Sequence, residues 1–180
     1  MKTILNHLIT ICKHKWWVFY HCYKAGLIWQ GIVHDLSKFS FTEFSESVKY
    51  YTGTSSPIDN CKRAKGYSMS WMHHRGRNPH HYEYWTDNYD SGTTHLMMPF
   101  KYATEMFCDN ISAAKTYMGK KFTWEAELNW WHNKQKTAKM HPNTEAYMNN
   151  LFNFCYHNQR FPTKEEFKEH WLIITGEEIK

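Results

Sequence analysis

The stretch Ile4–Lys24, with the sequence ILNHLITICKHKWWVFYHCYK, indicates how this chain folds. Its apolar residues have the spacing of an amphipathic helix. These residues are Ile4, Leu8, Ile11, Cys12, Val18, Phe19 and Cys22. Gly26 then provides a natural end to the helix. The sequence therefore predicts a long amphipathic helix at the start of the chain.

Helical signals of the same kind continue through the rest of the sequence. We expect further helices over residues 27–36, 41–51, 61–75, 99–118, 123–139, 143–157 and 163–175, with loops over 53–60 and 76–94. The capping-box patterns Ser40–Glu43 and Thr163–Glu166 mark the starts of two of these helices. No segment alternates as a strand does. The prediction is an all-α protein, with about seven or eight helices forming one compact domain over residues 1–180.

Composition narrows the class of protein. Hydrophobic residues make up 42% of the 180 residues and aromatic residues 18%, which excludes a disordered chain. The net charge of +5 is below what a dedicated nucleic-acid binder carries, but it suits an anionic substrate. Five cysteines without a C-x-x-C pair argue against a disulfide framework or a zinc finger. With no signal peptide or membrane span in the sequence, we expect a cytoplasmic protein without a membrane partner.

The segment VHDLSK, residues 33–38, carries the first candidate metal ligands. If the helix continues through His34 and Asp35, their side chains point about 100° apart and can converge on one ion. An imidazole with a carboxylate suits Mn, Fe, Zn, Co or Ni. The pair therefore predicts a divalent-metal site.

Other polar residues with metal-binding chemistry lie before and after this pair. His14 precedes it on a different predicted helix. Asp109 lies in the apolar segment MFCDNI, where burial of an unpaired carboxylate would be costly. The segment WMHHRGRNPHHYEYW, residues 71–85, holds four histidines within nine residues in the middle of the chain. These residues are candidates for the same site.

The order His14, His34-Asp35 and Asp109 resembles the H…HD…D signature of the HD-domain metal-dependent phosphohydrolase superfamily. Lys38 extends the likeness, because HDLSK is similar to the HDxGK version, with Ser37 where glycine is common. From His14 to about Met118 the chain also resembles an uncharacterised bacterial and phage family. Members of that family carry HDLSK and GYSxxWxHHxGRNPHHxEYW. The resemblance implies an HD-domain-like bundle.

The resemblance also implies a ligand set. The first ion would bind the residues His14, His34, Asp35 and Asp109. Asp35 would bridge to a second ion held by His74 and by either His80 or His81. Two alternatives stay open, namely one ion or two, and His21 in place of His14. The metal-site core would span residues 4–118, with the helices of 123–175 packed on it.

The implied activity is the hydrolysis of a nucleotide or another small phosphate ester. Asp35 and Lys38 would be catalytic, and Lys38, Arg75 and Arg77 would bind phosphate oxygens. Glu83 and Glu105 are candidates for orienting the ligand imidazoles.

Two other functions fit the same residues. Some HD-fold proteins with a similar ligand pattern hold two irons and are oxygenases. A metal-stabilised, non-catalytic module that binds nucleotide or nucleic acid is also compatible with the basic charge, although a nucleic-acid partner is not favoured. The sequence does not determine the oligomeric state.

Overall fold

The computed structural model describes residues 2–179, which form a mainly helical domain. Within this range there are nine α-helices: α1 Lys2–Lys24, α2 Ile28–Val33, α3 Phe41–Lys49, α4 Pro57–Lys65, α5 Met69–Arg75, α6 Phe100–Met118, α7 Trp124–Gln135, α8 Pro142–Asn158 and α9 Lys164–Thr175. Short 3₁₀ helices span Leu36–Phe39, Tyr82–Trp85 and Gly119–Lys121. The prediction of an all-α single domain is confirmed, with more helices than expected.

The additional helix arises in the segment 61–75, where the sequence predicts one helix and the structure has two. Gly66 adopts a left-handed conformation with φ of 80° and ends α4 there. Ser68 then begins α5, because its side chain accepts a hydrogen bond from the backbone N–H of Trp71. Helix α4 also starts earlier than predicted, at Pro57, inside the expected loop.

A β-hairpin replaces part of the loop predicted for residues 76–94. Strands β1 Thr86–Tyr89 and β2 Gly92–His95 pair antiparallel, with Thr86 opposite His95 and Tyr89 opposite Gly92. Most residues of both strands are exposed, so no alternation of apolar and polar residues marks them in the sequence. The prediction that the chain has no strand is wrong for this hairpin.

The helices pack in two groups that meet at α6. Helix α1 lies against α6 and α2, while α3 packs on α4 and α5. Helices α7, α8 and α9 pack in sequence order, and α8 contacts α6. Helix α2 approaches α1 closely at Gly31, where a Cβ atom would lie 3.0 Å from both the Cα of Phe19 and the Cβ of Cys22. Gly31 is therefore needed for this approach.

The buried residues differ between the two groups. Large side chains in α6 to α9 form an aromatic core of Phe107, Trp131, Tyr147, Phe152, Phe167 and Trp171. The segment from α1 to the loop after α5, together with α6, instead buries the polar residues His7, His14, His21, His34, Asp35, Glu43, His74, His80 and Glu105. The candidate site therefore lies in the N-terminal part of the fold, beside α6.

Candidate metal centre

The turn after α2 aims His34 and Asp35 into the same space. The helix ends at Val33, so the predicted continuation to Leu36 is wrong, and with it the 100° helical geometry. Asp35 instead adopts the left-handed conformation, with φ of 54° and ψ of 30°. Aspartate is one of the few residues other than glycine that tolerate this region. Lys15 stabilises the turn, because its ammonium donates a hydrogen bond to the carbonyl of His34.

A first group of ligand atoms forms where α1, this turn and α6 meet. It contains one atom each from His14, His34, Asp35 and Asp109, all within 4.8 Å of one another. His14 Nε2 lies 3.0 Å from Asp109 Oδ1, and His34 Nε2 lies 3.1 Å from Asp35 Oδ2. The structure thus brings together the four residues that the resemblance implies for a first ion.

A second group lies on the other side of the same aspartate. It consists of Asp35, His74, His80 and His81, again with ligand atoms within 4.8 Å. His74 Nε2 is 3.2 Å and His80 Nε2 is 3.4 Å from Asp35 Oδ1. Asp35 therefore belongs to both groups, with Oδ2 facing the first and Oδ1 facing the second.

Many of these atoms are buried without a hydrogen bond among residues 2–179. They are the Nε2 atoms of His14, His34, His80 and His81 and the Oδ1 atom of Asp35, whereas Asp35 Oδ2 has the Lys38 ammonium beside it. Buried polar atoms are normally hydrogen-bonded, so a cluster of unbonded donors and acceptors needs another partner. The ligand atoms within each group lie close together because the side chains converge on one position. Imidazole nitrogen with carboxylate oxygen is a donor set for divalent transition metals, so these groups could hold a metal ion.

Glu105 orients two of the imidazoles from α6. Its Oε1 accepts from His34 Nδ1 at 2.9 Å and lies 3.2 Å from His80 Nδ1. This leaves the Nε2 atoms of both rings directed at Asp35. Outer carboxylates of this kind fix the tautomer and direction of a metal-binding histidine. Glu83, the other predicted orienting residue, lines the nearby cavity but forms no hydrogen bond to an imidazole within residues 2–179.

Glu43 has the same role on the opposite side, and the sequence analysis missed it. Its carboxylate contacts His74 Nδ1 at 2.7 Å and His73 Nδ1 at 2.6 Å. The sequence suggested that Glu43 completes a capping box with Ser40, but only the Ser40 hydroxyl caps α3. A signal was present, because two adjacent histidines in α5 need acceptors if they are buried.

Ser37 also contributes, at the position where the resembling motif has glycine. Its hydroxyl accepts a hydrogen bond from Asn78 Nδ2 at 2.8 Å and lies 3.2 Å from His74 Nδ1. Asn78 in turn donates to the carbonyl of His74 at 2.7 Å. The turn after α2 is thereby tied to the end of α5.

Opposite charges dominate the electrostatics of the centre. Burial alone would raise the pKa of Asp35, but His34, Lys38 and His74 hold it well below its usual range. Burial would likewise lower the pKa of His34, yet Asp35, Asp109 and Glu105 raise it well above 6.5. Without an ion, the centre thus keeps its aspartate ionised.

A cavity of about 220 Å³ borders both groups. His14, Asp109, His74 and His81 line one part of it, together with the predicted residue Lys38, whose ammonium lies 2.5 Å from Asp35 Oδ2. Two further cations that the sequence analysis did not select, Lys62 of α4 and Lys134 of α7, also line this cavity.

Three predicted or rival residues lie elsewhere. Arg75 and Arg77 are not among the residues that line this cavity; Arg75 borders a separate surface depression beside the hairpin. His21 is buried, but its Nδ1 pairs with the hydroxyl of Ser112 at 2.8 Å and its ring stacks on Phe161. His14 therefore lies in the ligand group and His21 does not.

Comparison with known proteins identifies the family. Residues 3–154 match the model of a family described as "Family of unknown function (DUF5662)". The chain belongs to this family. The matched range contains both ligand groups and the cavity lining. No curated protein and no solved structure matches the chain. Among residues 2–179, no helix has the length and apolar character needed to cross a membrane.

Proposed function

We propose that this protein is a divalent-metal-dependent hydrolase that acts on a nucleotide or another small phosphate ester. The observation that carries the proposal is the position of Asp35, whose two oxygens face two different groups of imidazoles. A carboxylate placed in this way suits a bridge between two ions, and two-metal sites are common in phosphoryl hydrolysis. The resemblance to the HD superfamily supports the same reaction class.

The residues of the two groups would hold the ions. A bound divalent ion would lower the pKa of a water molecule and neutralise charge on a phosphoryl oxygen. Glu43 and Glu105 would keep the imidazoles in position, because they accept from the outer Nδ1 atoms. Because α1 and α6 bury the ligand groups, bulk water would reach them only from the side that faces the cavity.

Three lysines would bind the anionic substrate. Lys38 stands beside Asp35 at the edge of the ligand groups, where its ammonium could contact a phosphate oxygen. Lys62 and Lys134 lie on other elements that line the cavity, so they could contact a second anionic group. In this proposal they perform the role that the sequence analysis gave to Arg75 and Arg77.

The test combines metal analysis with hydrolysis assays on the purified full chain. We expect up to two divalent ions per chain and hydrolysis of p-nitrophenyl phosphate or of a nucleotide from a broad panel. Asp35→Asn should reduce both metal content and turnover. The loss in turnover should exceed roughly 100-fold, because replacing a residue that only orients a ligand already costs about 10–100-fold. Asparagine also tolerates the left-handed backbone, so the turn is preserved.

His14→Asn and His21→Asn form a matched pair for this test. Both residues are buried histidines of α1, but His14 alone belongs to a ligand group. We expect metal loss for His14→Asn and full metal content for His21→Asn. Unchanged turnover in Asp35→Asn, or the absence of hydrolysis across the panel in metal-loaded protein, would refute the hydrolase proposal.

A di-iron oxygenase is the second candidate. The observation in its favour is the nitrogen-rich donor set, with five imidazoles and two aspartates in the two groups. Imidazole with carboxylate suits iron. Protein purified with two irons and with substrate-dependent oxygen consumption would establish this function in place of hydrolysis.

A further inference from the structure

The outward face of α1 carries an apolar stripe. Its residues are Leu5, Ile9, Cys12, Trp16, Phe19 and Tyr23, spaced by four, three, four, three and four positions. Leu5, Ile9, Trp16 and Tyr23 are each more than half exposed, and Cys12 is exposed as well. The opposite face of α1 is buried against the rest of the domain. That buried face includes His7, His14 and His21, whereas the exposed stripe contains no histidine and no charged residue. Exposed apolar patches of this kind mark interaction surfaces.

The exposed apolar area is large enough for a stable interface. Helix α2 packs on α1 at Phe19, which it partly covers, and at Cys22, and it exposes Trp29 and Ile32 next to the rest of the stripe. Together with the stripe, these side chains expose roughly 1,000 Å², given about 150–250 Å² for each aromatic residue. Monomers rarely expose an apolar patch above about 600 Å². A standard interface buries about 800 Å² on each partner.

The spacing indicates that the partner is another helix. Alternating steps of three and four residues place the side chains in one narrow seam, which is the a/d pattern of two packed helices. The stripe contains no charged residue that would require an oppositely charged partner. Such a neutral patch is complementary to itself, as a symmetric dimer interface must be.

The charges of α1 favour a protein partner over an anionic membrane surface. The helix has four lysines and no acidic residue, which by itself would suit anionic lipids. However, Lys13 donates to the carbonyl of Thr116 at 2.9 Å, and Lys15 donates to the carbonyl of His34. Two of the four ammonium groups are therefore bound to the domain itself.

We propose that the chain forms a homodimer in which the α1 stripe, with the exposed residues of α2, packs against the same surface of a second copy. The inference stands on the stripe and the exposed residues of α2, and it does not depend on the proposed hydrolase activity.

Sedimentation equilibrium of the full chain over a range of concentrations tests the proposal. The wild type should have twice the 21.8 kDa mass of one chain. Trp16→Glu and Ile9→Glu should each weaken the dimer by roughly 30-fold or more, because they place a charge in the centre of the seam. Tyr89→Glu, on the exposed hairpin, introduces the same charge and should leave the dimer intact.

Three results would overturn the homodimer. A wild type that stays monomeric at the highest concentration excludes it, and so does a dimer that both charged variants leave intact. Binding of a monomeric wild type to phosphatidylserine-containing vesicles, lost in Trp16→Glu, would assign the stripe to a membrane surface instead. Circular dichroism of each variant verifies the fold, and Tyr23→Ser replaces any charged variant that does not fold.

Discussion

Helices α1 to α5 enclose buried imidazoles and carboxylates, whereas helices α7 to α9 enclose aromatic rings. Helix α6 serves both regions, because Glu105 and Asp109 belong to the site while Phe107 and Ile111 belong to the core. Burial of aromatic surface is favourable without any ligand. Burial of charges is costly unless they are paired or bind an ion. If the proposed metal site is correct, the C-terminal region should therefore supply most of the stability, and dependence on the ion should be confined to the N-terminal region.

The largest expected loss of stability comes from a substitution in the aromatic core of α6 to α9. Trp131 is fully buried and stacks on Phe152 with ring centroids 5.1 Å apart. Trp131→Ala should lower the free energy of unfolding by about 3–5 kcal/mol, because it leaves a large cavity. The neighbouring Trp130 is half-exposed, so Trp130→Ala should cost about 1 kcal/mol or less. Chemical denaturation of both variants measures the difference; equal losses would contradict the assignment.

Metal removal should act on the other region. With free metal at 100 to 1,000 times the dissociation constant, binding stabilises the fold by about 2.7–4.1 kcal/mol. A chelator should therefore lower the thermal midpoint of the wild type and of Trp131→Ala. The loss in the free energy of unfolding should be similar for the two proteins. Asp35→Asn should show little response to the chelator. The prediction fails if the wild type melts at the same temperature with and without chelator.

A smaller effect sharpens the role of Glu43, which contacts Nδ1 of His73 and His74. Glu43→Gln should weaken metal binding by about 10–100-fold, because the amide orients the His74 imidazole less well. Glu46→Gln on the same helix is the matched control, since Glu46 accepts from Ser68 and Ser70 and, within residues 2–179, from no imidazole. Competition with a fluorescent chelator measures both affinities. Equal losses in the two variants would remove Glu43 from the site.

The smallest expected effect concerns a carboxylate outside the site. Burial raises the pKa of Glu127 in α7 to about 7. Its ionised form therefore destabilises the fold above that pH, and the destabilisation disappears as the pH falls through about 7 towards the unfolded value of about 4.5. Glu127→Gln should stabilise the protein by about 1–2 kcal/mol at pH 8 and by almost nothing at pH 4.5.

Glu125→Gln is the control for this pH effect, because Glu125 is exposed on the same helix. Urea denaturation of both variants across this pH range gives the free energies. A stabilisation of Glu127→Gln that does not vary with pH would show that its ionisation is not the cause.

Much of the fold could be predicted from local sequence. Helices α1, α6, α8 and α9 lie close to their expected ranges, because apolar spacing and capping residues act over a few positions. The hairpin could not be predicted, because its short exposed strands carry no apolar alternation. Nor could the end of α2 at Val33, since the left-handed conformation of Asp35 is fixed by contacts from α1 and α5.

The candidate site divides in the same way. The sequence by itself determined the types of donor residue, because His34-Asp35, the histidines of 73–81 and a carboxylate in an apolar helix are visible without a structure. It did not distinguish His14 from His21, which lie on one helix face. Only the tertiary structure decided that His14 meets Asp109, that Glu43 holds His74, and that Lys62 and Lys134 reach the cavity. The physical reason is that helix formation depends on neighbours in sequence, whereas convergence on one point depends on how separate helices pack.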